Sequence, residues 1–238
     1  SDGAGGMYLA WIDSRTSSNQ SIYVQRILPN GNNAFAAEVL VTEATGTVSS
    51  NKSSLSIAPD GAGGILLVWQ DSRNYTTVPS NSNNDIYGQR INAAGTALWT
   101  AGGVRLTVSD NTVSQKIAPG IVAVNATEAM VIFGDNRDGS SDVHAQKVSL
   151  ATGAPLWAAD LSVHGAQPNT QTSTSIMEDN TGGAFILWQD PRIATTNSDI
   201  YMQRVSNAGA LLWGAGGTII CDAANNQLTP QMVADGTG

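Results

Sequence analysis

Four tandem copies of a unit near 58 residues, each reading as four short strands, and six tryptophans confined to two columns of that repeat predict an all-β fold of the β-propeller class. The blades are expected to be four-stranded and antiparallel. The four repeats form either a complete four-bladed ring or part of a larger propeller.

Each element follows from the residues. The unit opens on a Gly-rich turn, as in GAGGMYLAWIDSR at 3–15 and GAGGILLVWQDSR at 61–73. Related copies run GGAFILWQDPR at 182–192 and AMVIFGDNR at 129–137. Asp-Gly and Gly-Gly tolerate positive φ, so residues 60–64 form a hairpin turn between strands A and B. Strand A lies at 54–58 or 115–124. Strand B is the apolar run ILLVWQ at 65–70, rich in β-branched and aromatic residues. Strand C is DIYGQRI at 85–91, matched at 21–27, 142–148 and 199–205. A Gly turn then leads to an aromatic, as in AGTALW at 94–99, TGAPLW at 152–157 and AGALLW at 208–213. Strand D follows at 38–42, 104–108 and 218–221. Trp11, Trp69, Phe133 and Trp188 stand 58, 64 and 55 residues apart, which sets repeats at about 1–58, 59–122, 123–177 and 178–238.

The first unit starts at its A–B turn and so lacks strand A. Residues 227–234 (QLTPQMVA) supply one at the other end. That arrangement suits a zipped ring or an array cut at a repeat boundary, and the chain is expected to be part of a larger multidomain protein or assembly.

Composition removes other classes. One cysteine, Cys221, cannot form a disulfide scaffold within the chain. Charged residues at 13% are too few for a long helical protein. A net charge of −8 without a basic run disfavours nucleic acid. No apolar stretch reaches the roughly 18 residues of a membrane span, so membrane insertion is not expected.

The pattern D-G-x-G-G, W-x-D-x-R, D-I-Y-x-Q-R, G-x-x-L-W resembles propeller repeats of large secreted and surface proteins of bacteria. It is also similar in blade layout to the sialidase-type Asp-box (BNR) repeat. The box itself differs: Gly95 precedes Trp99 by four residues rather than three, and Ala93 stands where the box has Asp. The resemblance implies export, a secreted or cell-surface setting and a binding or display role.

Asp13, Asp71, Asp135 and Asp190 each precede an arginine (Arg15, Arg73, Arg137, Arg192) by two residues, and Asp85, Asp142 and Asp199 open the facing strand. Four carboxylate clusters could serve metal or catalysis. Repetition in every unit favours an Asp–Arg–Asp latch across each hairpin, with the guanidinium donating in fork geometry. Asp135, Asp138 and Asp142 surround Gly139 and form a minor calcium candidate, although the EF-hand spacing is missing. No cofactor is otherwise expected. His144 replaces the tyrosine of the D-I-Y motif and reads as structural, and His164 lies in a polar loop. Trp11, Trp69 and Trp188 read as core; Trp99, Trp157 and Trp213 do so less firmly, with sugar stacking the alternative.

The B–C and D–A loops vary between units and emerge on one face. Tyr75, Asn81, Asn83, Asn84 and Asn197 are the candidate binding residues there, suited to a protein or glycan surface ligand. The function expected from sequence is therefore a non-catalytic binding or scaffold module, not an enzyme. The alternatives are a glycan-binding propeller lectin and a propeller-fold carbohydrate-active hydrolase. The last needs one asymmetric acid pair, and no such pair stands out.

Overall fold

A computed structural model describes residues 3–15, 20–42, 51–73, 84–108, 114–165, 169–194 and 197–235. All regular elements among them are strands, arranged in four antiparallel sheets. The first sheet has three strands, β1 (Met7–Asp13), β2 (Ser21–Ile27) and β3 (Val39–Thr42). The second is a four-stranded meander of β4 (Lys52–Pro59), β5 (Ile65–Asp71), β6 (Asp85–Ile91) and β7 (Val104–Arg105). The third comprises β8 (Lys116–Ala123), β9 (Glu128–Asp135), β10 (Asp142–Ser149) and β11 (Leu161–Ser162). The fourth comprises β12 (Thr172–Glu178), β13 (Ala184–Ala194), β14 (Asn197–Val205) and β15 (Thr218–Cys221). The β-propeller blade order and the missing first strand of unit one match the repeat.

The central strands are apolar on both faces because each blade is covered on both sides. Side chains alternate along a strand. In β5, Leu66 and Val68 therefore enter the core shared with Val131 and Phe133 of the third sheet. Ile65, Leu67 and Trp69 enter the core shared with Ile22 and Val24 of the first. Ile132 and Met130 meet Ile186 and Trp188 in the third inter-sheet core. Three layers of hydrophobic packing thus join the four sheets face to face.

The joints repeat in detail. The aromatic after each Gly turn packs on the turn glycine of the following blade. A Cβ on Gly95 would lie 3.1 Å from Phe35, and one on Gly153 only 2.8 Å from the Trp99 ring. Trp157 covers Gly209 in the same way. A cation crosses beside it: Arg26 Nη1 donates to the Ala93 carbonyl (3.2 Å), Arg90 Nη1 to the Leu150 carbonyl (3.0 Å), and Lys147 Nζ to Asn207 Oδ1 (2.9 Å).

Two expectations change. Residues 227–234 are irregular rather than a strand, because no sheet edge lies beside them to pair with. Trp69, Trp188 and Trp99 are buried as core residues, but Trp11 and Trp157 are half-buried and Trp213 is 37% exposed.

Candidate functional site

The candidate site lies at the end of the blades where strand B stops and strand C starts. There Asp71 pairs in register with Asp85, Asp135 with Asp142 and Asp190 with Asp199. In each unit the first carboxylate is gripped locally. Asp71 accepts from Trp69 Nε1 (2.9 Å), from the Arg73 backbone N–H (2.9 Å) and from Arg73 Nη2 (2.5 Å). Asp190 repeats this with Trp188 and Arg192, and Asp13 with Trp11 and Arg15. Asp135 keeps the Arg137 contacts, but Phe133 has no N–H to add. Burial pushes the Asp71 and Asp135 carboxyls up, and the adjacent guanidinium more than reverses this, so both lie below the usual carboxylate range. Asp13, held chiefly by the Arg15 hydrogen bond, falls to about 2.

The arginine does not bridge to the facing aspartate. It turns onto the strand C tyrosine instead: Arg73 lies 4.0 Å over the Tyr87 ring, Arg192 3.9 Å over Tyr201 and Arg15 4.5 Å over Tyr23. This arrangement uses the flat guanidinium for a carboxylate and a ring at once. Arg73 and Arg192 also donate to the Gly102 and Gly216 carbonyls, tying the D-strand turn down.

The facing carboxylate Asp85 is served by the next blade. Lys116, the first residue of β8, is fully buried, 3.4 Å from Asp85 and 3.8 Å from Asp135, with Arg105 3.9 Å from Asp85. Lys52 is the equivalent buried lysine of β4, opposite Asp71 in register, and burial lowers its pKa.

The third blade breaks the pattern. The position of Lys52 and Lys116 is occupied by Gln171, whose backbone N–H donates to the Ser141 carbonyl as Lys116 donates to Asn84. Asp142 thus faces no lysine from the following blade. Its neighbour is His164, whose Nε2 lies 3.2 Å from Asp142 Oδ1. The imidazole is 2% exposed, and neither Nδ1 nor Nε2 meets hydrogen-bond geometry with a partner among the described residues, so the contact with Asp142 is one of proximity. Burial raises the Asp142 pKa, only partly opposed by the two imidazoles, and the nearby Asp138 raises it further. Burial lowers the His164 pKa as well. Both shifts favour the uncharged forms, a carboxylic acid beside a neutral imidazole. His144 completes the group, donating from Nδ1 to the Asp142 carbonyl (3.2 Å) and stacking on Phe133.

His164, a polar-loop residue by sequence, is buried against Asp142. The sequence carries the signal: unit three alone exchanges Trp for Phe133 and Tyr for His144, and Gln171 stands in the column of Lys52 and Lys116. The calcium candidate is corrected. Among the described residues no group of three ligating side chains forms, because Arg137 takes Asp135 and His164 faces Asp142. Asn84 and Asn197 lie at the start of strand C, Asn197 Nδ2 donating to Asp199 (3.5 Å). Tyr75, Asn81 and Asn83 lie outside the described residues. A groove of about 460 Å³ runs between the third and fourth blades, lined by Trp157, Asp160, Ser162 and Gly209.

No protein-family model and no curated protein matches the sequence. Among solved structures the chain is similar to the Penicillium chrysogenum alpha-L-arabinanase complexed with arabinobiose, at 14% identity and TM-score 0.50, over 92% of this chain and 71% of that one. It is also similar to an endo-arabinase of Bacteroides thetaiotaomicron (14% identity, 83% and 70% covered, TM-score 0.46). A third is the catalytic domain of a Coprinopsis cinerea alpha-L-arabinofuranosidase (11% identity, 96% and 70% covered, TM-score 0.43).

The shared feature is the β-propeller. The expectation of a non-catalytic scaffold module that is not an enzyme is corrected to this extent: the solved structure matched at TM-score 0.50 is that of an enzyme, an alpha-L-arabinanase.

Proposed function

We propose that the chain is a propeller-fold carbohydrate-active hydrolase acting on a glycan, with the third blade as its centre. The observation that carries the reading is Asp142, a blade-top carboxyl with raised pKa set against an imidazole where the other inner strands place a lysine. A group of this kind suits general acid catalysis, since it still holds its proton where an ordinary carboxyl has lost it. Asp142 gives that proton to the glycosidic oxygen as the C–O bond breaks. A water adds to the anomeric carbon and gives its own proton to a second carboxylate, for which the exposed Asp138 of the same turn is the candidate. Solvent then carries the proton from Asp138 back to Asp142, which restores both groups. The fold likeness to an arabinanase supports trying arabinofuranosyl glycans first. A secreted or cell-surface setting and a glycan partner belong to the same proposal.

The test is turnover of arabinan and of aryl α-L-arabinofuranosides by the intact chain and by Asp142→Asn. The variant should lose about 10²–10⁴-fold in rate, the usual share of general acid–base catalysis. The wild-type rate should fall as pH rises through the raised pKa of Asp142, because the acid must be protonated to act. Equal rates in the two proteins would sink the assignment.

A second reading, glycan binding without turnover, is favoured by the groove between the third and fourth blades, where Trp157 offers an indole face beside Asp160. Oligosaccharide binding measured by calorimetry, weakened in Trp157→Ala with no turnover in either protein, would select it.

A further inference from the structure

The joint between the second and third sheets and the joint between the third and fourth share one frame. At the first of these the Lys116 backbone N–H donates to the Asn84 carbonyl (3.1 Å), and the buried ammonium lies 3.4 Å from Asp85 and 3.8 Å from Asp135. At the next joint the Gln171 N–H donates to the Ser141 carbonyl (2.8 Å). The Thr172–Gln189 pair sets Gln171 opposite Asp190, as Lys116 stands opposite Asp135. Asp142 and Asp190 therefore hold the places of Asp85 and Asp135. The frame is kept, and the cation is exchanged for an amide.

Two further exchanges accompany it. Arg105, opposite Tyr87, lies 3.9 Å from Asp85, and its counterpart opposite His144 is Ser162. Thr107 follows Leu106, whose N–H bonds the Ile86 carbonyl; His164 follows Val163, whose N–H bonds the Val143 carbonyl. Thr107 and His164 thus share a position, and both are buried. A glutamine side chain is one atom shorter than a lysine, and an imidazole is larger than a threonine side chain. His164 takes up the room that Gln171 leaves. The charged and titratable groups near it are Asp142 and His144 of β10 and Asp190 of β13, which Arg192 holds; Asp138 acts on Asp142 from the turn. Among the described residues no lysine or arginine comes within 4 Å of the Asp142 carboxyl, whereas His164 does, at 3.2 Å.

We propose that Gln171 is a positioning residue of the hydrolase: it withholds the ammonium that Lys116 gives to Asp85 and Asp135, and so leaves Asp142 outside a lysine ion pair and able to serve as the acid. A buried carboxyl without a cation beside it favours its neutral form, in keeping with the raised pKa of Asp142. The catalytic consequence rests on the hydrolase reading; the exchange of charge rests on the two joints.

The test rebuilds the earlier joint at the later one. His164→Thr with Gln171→Lys supplies its threonine and lysine. His164→Thr with Gln171→Met supplies the bulk of the lysine without its charge. Carbon NMR of aspartate-labelled protein follows the Asp142 carboxyl, whose signal is assigned with Asp142→Asn. An opposite charge within about 4–6 Å lowers a carboxyl pKa by about 1–3. Asp142 should therefore titrate lower by that amount in the lysine variant than in the methionine variant or wild type. Above its new titration point the lysine variant should hydrolyse an aryl α-L-arabinofuranoside about 10–10³-fold more slowly than the methionine variant, as its protonated fraction falls. Circular dichroism checks the fold. Gln171→Lys with His164 kept is a second route to the same charge and should lower the titration likewise. An Asp142 signal that titrates alike in the lysine and methionine variants would overturn the proposal. Equal slowing of both would do so too, since bulk and not charge would then be acting. A lowered titration with no turnover in wild type would uphold the exchange of charge and remove only the hydrolase reading.

Discussion

At the residue scale, the same carboxylate type is put to two uses by what faces it. Asp71 is buried against Trp69 and Arg73 and stays ionised. Asp142 is buried against His164 and is pushed toward its neutral form. Their variants should behave in opposite ways. Arg73→Ala leaves the Asp71 charge buried without its guanidinium and should cost about 1–3 kcal/mol, read as a fall in chemical-denaturation midpoint. Arg73→Lys should recover only part of this, because a lysine cannot hold the carboxylate, the Gly102 carbonyl and the Tyr87 ring together. For Asp142 the sign reverses. Its folded pKa lies above the unfolded value, so its contribution to stability is fully present at low pH and is lost as pH rises through the folded pKa. Asp142→Asn removes that loss and should raise the melting temperature at pH 8 relative to pH 4, while lowering turnover. A fall in melting temperature at both pH values would show Asp142 to be a structural partner of His164 and not a strained acid.

At the element scale, strands B and C were legible in the sequence because their apolar runs are long and their turn chemistry is explicit. The predicted 65–70 and 85–91 became β5 and β6 with almost the same bounds. Strand D was legible only in part: 104–108 shortens to Val104–Arg105, because beyond it Leu106 leaves the ladder and bonds the Ile86 carbonyl singly. The site was less legible than the fold. Periodicity marks what repeats, whereas the Asp142–His164 contact depends on a departure from the repeat and on a loop residue folding inward. The turn glycines make a measurable case for the joints. Gly153→Ala and Gly31→Ala both place a side chain at positive φ (76° and 84°), which alone costs about 1–2 kcal/mol. Only at Gly153 does the new Cβ meet the Trp99 ring, adding roughly 1–3 kcal/mol of overpacking. Urea midpoints of the two variants should therefore separate by that second amount.

At the scale of the whole molecule, charge is concentrated where sheets meet. Glu128, the first residue of β9 in the third blade, accepts from Asn207 of the fourth blade (2.7 Å) and from Lys147 (2.9 Å), and Lys147 itself reaches Asn207. The Asn207 and Asn125 hydrogen bonds, aided by Lys147, hold the Glu128 carboxyl at about 2. Asp179 and Asp60 are held low in spite of burial by the matching arginines, Arg204 and Arg90, and by backbone N–H groups of their own turns. A carboxylate whose folded pKa is depressed stabilises the fold above its unfolded pKa and ceases to do so as pH falls through the folded value. For Glu128 that window runs from 4.5 down to about 2. Acid unfolding followed by circular dichroism should begin below pH 4.5 and steepen toward pH 2. Glu128→Gln keeps an acceptor for Asn207 but has no proton to gain, so its stability should be lower than wild type at pH 7 and nearly equal at pH 2. Because Glu128 is partly exposed, solvent screening keeps the gap at pH 7 small, and the slope of stability against pH is the informative quantity. A variant curve parallel to wild type across the whole range would mean that the third and fourth blades are held by their apolar core alone.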